Sequence, residues 1–594
     1  MNLNRIKLFI KNLCDKPYAF PVTLLAIFLY RALLATRSFD LTDSGFVITF
    51  YKYIFTDPSC CEYNFLYYFS GIIGGLFNII YPEGGLFYYR MAGIVIDILS
   101  IWVAWMIIGR YTISKYYVIS GAILYTVFYS EILPLHHNSL SYLFAFISIL
   151  FLIRGVTSGK AGYIFISGFV IGINTFIRLP NIILVVLAGV ILADSYFRRC
   201  SVKRILLFLS VFFSAVFIGI LSVVLLMFVL GHERIMLSSL MTAFSVSSSG
   251  SSTHNIMSIC FVLLGFYKSV FLYLGIIISC WFALSLFKRK SYIYISSVVL
   301  FLFFLLFACL RDGSQYIYIR LSPVYYALTL FATLFILIDR RVKYKLKLIV
   351  LTNLLLIVFN PLGSDLYVNY SPLLLSFPII IYFADMVAEG DVKLLFGCSR
   401  INLRGGYLSG ILYGILLFLM AYSLYYTRKR GYEDSGNIES KSYPVKGKYT
   451  RCVYTTKDKA AYLNHLMDNI SDYVKDGDEL LSYYDFPAIN YMTNTKPYIA
   501  SSWVKCFPGN ESLEYQLSRS EKSKSKLPVV LLQKQHIGIP ILSDDIPFYM
   551  ENWPAMRAFL YRHDYGIEWE SEYFAVLTPD NVNPVSFEFK GEFD

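Results

Sequence analysis

The feature that most constrains this chain is a series of long apolar runs, which recurs from Pro17 to Tyr426. Most of the runs approach the ~20 residues that an α-helix needs to cross the hydrocarbon core of a bilayer. The chain is 57% hydrophobic and 15% charged, which is more apolar than a soluble protein of 594 residues. The pattern therefore predicts an α-helical polytopic membrane protein and excludes a soluble one.

Basic residues fall on alternate connections between the runs, and they set the expected orientation. A basic segment, residues 5–16, precedes the first run, so the N-terminus is expected in the cytoplasm. The net charge of +12 resides mainly in such loops, so it does not indicate nucleic-acid binding. About thirteen spans are predicted, and an odd number puts the C-terminus on the other side of the membrane. The expected location is the inner membrane of a bacterium.

Two stretches depart from this regular alternation of runs. The apolar stretch from Asn64 to Ile80 is short and Gly-rich, so we interpret it as an interfacial or re-entrant helix. Outer-face loop helices are accordingly expected over residues 38–82. A second departure comes after Tyr426, where the chain turns polar and carries no further apolar run.

The polar C-terminal part shows the periodicity of a small globular domain. A helix is predicted after Thr456, whose side chain can cap it, and another helix is predicted from Trp553. Strands are predicted at Glu479–Tyr483, Pro528–Leu532 and Glu572–Leu577. The chain thus divides into a transmembrane domain, residues 1–426, and an extracytoplasmic α/β domain, residues 427–594, called the outer domain below.

The ten cysteines show no spacing typical of metal ligands. Cys452 and Cys506 both lie in the outer domain. An oxidising compartment would allow a disulfide between them, and two free, buried thiols are an equal alternative.

Two carboxylates, Asp40 and Asp43, follow the first apolar run directly. Gly45, which would let the chain turn, and an aromatic-rich run come next, so this acidic segment lies at the membrane face. In one interpretation Asp43 caps a helix that begins near Gly45. In the other, the segment is a reaction centre that the membrane helices hold against a membrane-borne substrate.

A second polar group lies at the outer ends of two later runs. It contains Glu131, His136, His137 and Asn138. Each of them alone could simply terminate a helix, although a carboxyl group at the membrane boundary is costly unless it is paired or used. Asp43, Glu131 and His137 could together hold a divalent cation such as Mg²⁺, Mn²⁺ or Zn²⁺, but ligands from separate loops do not specify a metal.

A set of outer-face arginines forms the third group, and its members are Arg90, Arg178, Arg311 and Arg320. Single arginines near helix ends usually extend to the lipid headgroups. Several around one cavity would suit a phosphate, which a guanidinium binds through two hydrogen bonds. Arg31 and Asp97 lie inside predicted spans, where charge is expensive, so they are expected to face the protein interior and each other.

The chain resembles the GT-C membrane glycosyltransferases, in particular the branch that contains the protein O-mannosyltransferases and the lipid A aminoarabinose transferases. The similar stretches are Thr42–Phe46, Phe87–Gly93, His137–Leu140, Gly172–Pro180, Asp476–Leu481 and Asp485–Pro487. They are short but spread over most of the chain. The resemblance implies the same fold, with helices in the membrane and a domain on the outer face.

The resemblance also implies an activity, which is inverting transfer of a hexose or pentose from a polyprenyl-phosphate donor to a lipid, glycan or protein acceptor. It puts Asp43 at the reaction centre as the general base. The family pattern commonly has an acidic pair, and Ser44 takes the second place here, so Asp40 or Glu131 would supply the other carboxylate. The four arginines, with His136, His137 and Asn138, would bind the donor phosphate and substrate.

Two alternatives use the same lipid substrates. A flippase or transporter would show internal repeats and polar residues near the middle of the membrane. We find no convincing repeat, and the acidic and basic candidates cluster at one face. An oligosaccharide polymerase or ligase would carry a different catalytic loop from the one after the first span.

Overall fold

The computed structural model describes most of the chain. The described ranges are 3–109, 114–129, 132–248, 256–286, 317–363, 373–388, 392–396, 399–403, 405–429, 431, 433–534 and 551–579. Glu131, Arg311 and the predicted span Tyr292–Cys309 lie outside the described residues, and so does the side chain of Arg320.

Helices dominate up to residue 429, because a backbone in lipid must satisfy its hydrogen bonds within each segment. The α-helices are α1 (Leu3–Cys14), α2 (Ala19–Ala35), α3 (Asp43–Tyr53), α4 (Tyr68–Ile80), α5 (Leu86–Ile108), α6 (Tyr116–Phe128), α7 (His137–Ser158), α8 (Ala161–Ile177), α9 (Ala188–Arg198), α10 (Val202–Leu230), α11 (Glu233–Ser248), α12 (Ile256–Leu286), α13 (Ile317–Ile338), α14 (Tyr344–Phe359), α15 (Leu373–Ala388) and α16 (Gly405–Lys429). Shorter elements are the 3₁₀ segments Pro58–Tyr67, Leu179–Leu187 and Asn360–Gly363, and the hairpin of β1 (Val392–Phe396) and β2 (Ser399–Leu403).

The helices confirm the prediction of a polytopic membrane protein. Seven of the described helices are long and apolar enough to cross a membrane, and α1 with α2, bent by 92°, would make an eighth. Three shorter apolar helices, α6, α8 and α15, accompany them. The total of about thirteen spans stays a prediction.

The segment between α2 and α5 forms a platform of short helices. Helix α4 has 13 residues, too few to span a bilayer, which agrees with its interpretation as an interfacial helix. Its glycines allow α3 to approach closely, since a Cβ atom on Gly74 would lie 2.2 Å from the Tyr51 ring and one on Gly71 would lie 2.3 Å from the Phe50 ring. The packing fixes α3, whose first residue is Asp43.

The charges predicted inside the spans do face each other. Arg31 Nη2 lies 2.8 Å from the Asp97 carboxylate, and both side chains are buried. Arg31 Nη1 also donates to the backbone carbonyl of Tyr129 at 3.3 Å. The pairing compensates two charges that would be expensive alone in lipid, and it ties α2 to α5 one turn below the end of α2.

The outer domain is the predicted α/β structure. A mixed five-stranded sheet has the order β6–β5–β7–β9–β8, in which β5 pairs parallel with β6 and β7, and the other pairs are antiparallel. Its strands are β5 (Glu479–Tyr483), β6 (Lys496–Pro497), β7 (Val529–Gln533), β8 (Gly566–Glu570) and β9 (Phe574–Thr578), and a two-stranded pair, β3 (Tyr443–Pro444) with β4 (Tyr454–Thr455), precedes it. The helices are α17 (Lys457–Ile470), α18 (Ala488–Met492), α19 (Asn510–Ser523) and α20 (Trp553–Arg562), with 3₁₀ turns at Ile438–Ser440, Lys448–Thr450 and Val504–Cys506.

Two local predictions for the outer domain need correction. Thr456 occupies the N-cap position of α17, but its side chain makes no capping hydrogen bond. Cys452 and Cys506 are both free thiols, so the disulfide is not formed. Cys452 is also exposed rather than buried.

The outer domain contacts one end of the membrane helices. The N–H of Tyr454 donates to the carbonyl of Thr36 at 2.8 Å, just after α2. The Tyr449 carbonyl oxygen would lie 2.3 Å from a Cβ atom on Gly85, just before α5. At the end of α7 that the sequence assigns to the cytoplasm, Arg198 donates to the Val156 carbonyl. These contacts agree with the predicted alternation of loops, while the side of the membrane stays a prediction.

Candidate functional site

The acidic segment after α2, which we call the acidic corner (Asp40 to Gly45), is organised by Asp40. This carboxylate is 1% exposed and accepts hydrogen bonds from the Thr42 N–H at 2.8 Å and the Thr42 hydroxyl at 2.7 Å. Its other oxygen accepts from the Ser44 N–H at 2.6 Å. Asp40 therefore satisfies backbone donors at the start of α3, as a helix-capping carboxylate does.

Asp43 is the first residue of α3 and is only half-buried. The interpretation that Asp43 caps a helix beginning near Gly45 is corrected, because the helix begins at Asp43 and Asp40 makes the cap. Asp43 interacts electrostatically with Lys505 and Cys506 of the outer domain. The carboxylate thus lies at the junction between the membrane helices and the outer domain.

Gly45 serves a close contact rather than a turn. It lies within α3, and a Cβ atom at this position would be 2.2 Å from both Cα and N of Ala488. The Ala488 N–H also donates to the Leu41 carbonyl at 3.0 Å. Two of the stretches that carry the family resemblance, Thr42–Phe46 and Asp485–Pro487, are therefore adjacent in space.

A small group of outer-domain side chains covers the acidic corner, and we call it the roof (Asp485, Trp503, Lys505). The Trp503 indole N–H donates to Asp485 at 2.6 Å, and Lys505 Nζ lies 3.7 Å from the other oxygen of Asp485. The Trp503 ring meets the Phe46 ring edge-on, with centroids 5.7 Å apart. The pKa of Lys505 is raised, because the charge of Asp485, with that of Asp43, outweighs the lowering effect of burial.

Arg90, predicted as a phosphate ligand, holds backbone carbonyls instead in this structure. Its buried guanidinium donates from Nη1 to the carbonyl of Ala35 at 2.9 Å and to that of Ser38 at 3.0 Å. The first carbonyl belongs to the last residue of α2, and the second lies two residues before the acidic corner. The geometry supports a positioning role for Arg90.

A second group, the histidine corner (His136, His137, Arg178), lies at the ends of α7 and α8. The imidazole of His137 stacks on Tyr67 with centroids 4.0 Å apart and lies 3.8 Å from the His136 ring. Arg178 interacts electrostatically with His136, and burial together with that charge lowers the pKa of His136 to about 3. His136 is therefore neutral, and the positive charge of this corner resides on Arg178.

His136 also caps α7. Its Nδ1 accepts a hydrogen bond from the N–H of Asn138 at 3.3 Å, so the ring proton of the neutral imidazole lies on Nε2. The helix-terminating interpretation thus holds for His136, and the tautomer leaves an N–H donor at Nε2. Asn138 contributes its backbone to this cap.

The other predicted site residues are not placed by the structure. Glu131 and Arg311 lie outside the described residues, and Arg320 is described only as part of the backbone of α13. Among the described residues no group of three or more His, Cys, Asp or Glu side chains could hold a metal ion. Of the three predicted cation ligands, Asp43, Glu131 and His137, Glu131 lies outside the described residues, so that metal set stays a prediction.

Several residues at the junction of the membrane helices and the outer domain were not singled out by the sequence. The roof residues Trp503 and Lys505 lie some 460 positions from Asp43 in the chain. Glu62 is buried in the first loop and pairs with Arg519 of α19 through two bonds, of 3.0 and 2.7 Å. No spacing rule links such residues, because they meet only when the outer domain folds onto the membrane helices.

Part of the chain matches the model of a known protein family. Residues 72–226 match the family model described as dolichyl-phosphate-mannose-protein mannosyltransferase. A search of curated proteins returned no match.

Solved structures of the oligosaccharyltransferase of the archaeon Archaeoglobus fulgidus are also similar to the chain. Its apo form matches with 10% identity and a TM-score of 0.45, over 94% of this chain and 80% of that one. An oligosaccharyltransferase of the same archaeon, named AglB and solved with an inhibitory peptide and a dolichol-phosphate, matches with 11% identity and a TM-score of 0.41, over 86% of this chain and 69% of that one.

The family match covers most of α4, all of α5 to α9 and most of α10, but less than half of the chain. It includes Arg90, His136, His137 and Arg178. Together with the apolar helices it supports a membrane glycosyltransferase. The chain is an integral membrane protein, and the match confirms its resemblance to the protein O-mannosyltransferase branch of the GT-C membrane glycosyltransferases.

Proposed function

We propose that this protein transfers a sugar from a polyprenyl-phosphate donor to an acceptor hydroxyl on the extracytoplasmic face of the membrane. The observation that carries the proposal is the position of Asp43. Helix α3 begins at this residue, Asp40 makes the cap, and the roof covers the corner from the other side. The arrangement provides a partly enclosed carboxylate at the end of a membrane helix, where a lipid-linked sugar would meet its acceptor.

The chemistry assigned to Asp43 is general-base catalysis of an inverting displacement. The acceptor oxygen attacks the anomeric carbon, the bond from that carbon to the phosphate oxygen breaks, and the lipid phosphate departs with the bonding electron pair. The hydroxyl proton passes to Asp43. A positioned base of this kind contributes about 10²–10⁴-fold to a rate. Lys505 balances the charges of Asp43 and Asp485 in the roof.

We assign the donor phosphate to the histidine corner. Arg178 supplies a fixed positive charge, which a departing phosphate needs in a site with little water. The neutral imidazole of His136 adds a donor at Nε2, since its Nδ1 is engaged by Asn138. The Tyr51 hydroxyl donates to the Leu135 carbonyl at 2.9 Å, so α3 contacts the chain directly before this corner. Arg311, Arg320 and Glu131 remain predicted participants.

The proposed orientation follows from the charge pattern. The N-terminus lies in the cytoplasm, and the outer domain, the acidic corner and the histidine corner lie outside. In a bacterium this places the enzyme in the inner membrane, with a lipid, glycan or protein as acceptor. The family match over residues 72–226 supports a lipid-phosphate sugar as donor.

The test is a transfer assay on the purified protein in lipid nanodiscs, with synthetic polyprenyl-phosphate hexoses and pentoses as donors and nucleotide sugars in parallel. We expect release of polyprenyl phosphate from the lipid donors, and Asp43→Asn should lower the rate about 10²–10⁴-fold without changing the thermal unfolding temperature. Asp458→Asn is the matched control, because Asp458 is an exposed aspartate in the first turn of α17. Near wild-type transfer by a folded Asp43→Asn protein would overturn the assignment.

A further inference from the structure

A fully buried ionic cluster joins the outer domain to the chain directly before the acidic corner. Asp434 has no exposed side-chain surface, and its two oxygens lie 3.1 Å from Lys459 Nζ and 3.7 Å from Lys441 Nζ. The Thr455 hydroxyl lies 2.9 and 3.1 Å from the same two oxygens. Burying three charges is expensive unless each finds partners, so this cluster needs its full set of contacts.

Three further hydrogen bonds of the cluster reach residues 38 and 39. The Phe39 N–H donates to Asp434 at 2.9 Å, and Lys459 Nζ donates to the Phe39 carbonyl at 2.7 Å. Lys441 Nζ donates to the Ser38 hydroxyl at 3.0 Å. Three bonds from the outer domain thus end on the two residues that precede Asp40.

The backbone at this point is held in an unfavourable conformation. Ser38 has φ of 76°, in the left-handed region that residues other than glycine seldom occupy. Such a conformation persists only where the surroundings determine it. Here Lys441 holds the Ser38 side chain and Arg90 holds its carbonyl.

We infer that Asp434, Lys441 and Lys459 form an ionic clamp that fixes residues 38–39 and thereby positions Asp40 and Asp43 for sugar transfer. The clamp acts through the chain, because Phe39 is followed directly by the capping carboxylate Asp40. The outer domain therefore does more than cover the site, since without the clamp the acidic corner loses its fixed place above α5. The effect on rate rests on the proposed function, whereas the ordering of residues 38–46 does not.

The experiment combines amide hydrogen exchange with steady-state kinetics on the full-length protein in nanodiscs. Asp434→Asn removes the central charge. Because that change leaves two buried lysines unpaired and could prevent folding, Thr455→Val is the second variant, which deletes only one hydroxyl from the cluster. Asp194→Asn is the matched control, as Asp194 is another buried aspartate, paired with Arg198 at 3.2 Å near the end of α9.

We expect exchange of residues 38–46 to rise at least tenfold in Asp434→Asn and severalfold in Thr455→Val, with α7 and α8 unchanged. With a polyprenyl-phosphate hexose, kcat should fall at least tenfold in Asp434→Asn and by less in Thr455→Val, while KM for the donor stays within twofold. Asp194→Asn should change neither measurement at the corner.

Unchanged exchange over residues 38–46 in folded variants would overturn the clamp. Where Asp43→Asn abolishes transfer, faster exchange in Asp434→Asn with an unchanged kcat would overturn the positioning role of the clamp. If Asp434→Asn does not fold, Thr455→Val decides by the same two measurements. The proposed function fails separately if Asp43→Asn transfers sugar at the wild-type rate. The exchange data would then still decide whether the clamp orders the corner.

Discussion

The acidic corner and the histidine corner lie at the same end of the membrane helices but are built in different ways. Residues 38–45 are held by groups from the outer domain, such as Asp434 on the Phe39 N–H and Ala488 on the Leu41 carbonyl. The histidine corner is held by neighbours within the membrane part, through the ring of Tyr67 and the cap on Asn138. For the proposed function, this difference predicts that acceptor activation depends on docking of the outer domain, while donor binding does not.

The largest effect is expected from a change at the contact between the acidic corner and the outer domain. Gly45→Ala would bring a Cβ atom within 2.2 Å of the Ala488 backbone, so the outer domain must shift. We expect transfer to fall about 100-fold or more, because small misplacements at a catalytic group are costly. Donor affinity, measured by binding of a fluorescent polyprenyl-phosphate sugar, should stay within twofold.

The control for that variant is Gly265→Ala. Gly265 is also helical, and a Cβ atom there would meet nothing within 4 Å. Transfer by this control should equal that of the wild type. Loss of donor binding in Gly45→Ala would show that the two corners are not independent.

A change at Arg178 tests the other corner. Arg178→Ala should weaken donor binding about 10- to 100-fold, because it removes charge-assisted hydrogen bonds worth about 1.5–3 kcal/mol. Arg178→Lys should restore the affinity only in part, since an ammonium cannot form the two parallel bonds of a guanidinium. Arg451→Ala, an exposed arginine of the outer domain, is the control and should bind the donor normally. Unaltered affinity in Arg178→Ala would return Arg178 to a purely structural role.

The two carboxylates of the acidic corner are expected to differ in their effect on stability, and this difference is smaller. Asp40→Ala removes the cap on α3 and should lower the free energy of unfolding by about 0.5–2 kcal/mol, with a reduced rate because Asp43 is less well placed. Asp43→Asn should leave stability intact. Thermal unfolding and transfer rates measured on both variants distinguish the roles, and equal stability of the two would contradict the assignment of the cap.

A further effect on stability is the pH dependence of the clamp. Burial lowers the pKa of Lys441 from 10.5 to about 8, opposed by Asp434 and assisted by the charges of Lys459 and Arg90. Between pH 8 and 10.5 the unfolded chain therefore binds more protons at this site than the folded one, so stability from this group rises with pH. Below pH 8 both states are protonated and the contribution is constant.

Lys441→Met lacks this titration. We expect the unfolding free energy of the wild type, relative to the variant, to increase from pH 8 towards 10.5. Chemical unfolding of both proteins across that range measures the difference. A constant difference would contradict the lowered pKa of Lys441.

Sequence reasoning succeeded where a local environment dictated the outcome. Arg31 and Asp97 were expected to pair because each charge in lipid needs a partner, and they do. The strand Glu479–Tyr483 followed from a short apolar run in a polar region, and its predicted bounds match β5.

Sequence reasoning failed where the role of a residue depended on backbone geometry. Both Asp40 and Asp43 suit a helix cap, and the choice between them rested on where α3 begins. Gly45 was predicted to allow a turn, yet it accommodates the backbone of Ala488. The sequence does not predict the clamp, because Asp434 lies between polar residues and has no local feature that distinguishes it from a solvated aspartate.

By itself, the sequence determined that this is a helical membrane protein with an α/β domain after residue 426, and it pointed to Asp43 and the family resemblance. The physical reason is that lipid acts on each apolar run separately, so composition and charge at the ends decide its place. Only the tertiary structure decided which carboxylate caps α3, which side chains form the roof and what holds Ser38 and Phe39. The cap is a local contact that depends on where the helix begins. The roof and clamp contacts instead join residues about 400 or more positions apart, and their energy depends on the docking of two parts that no local pattern describes.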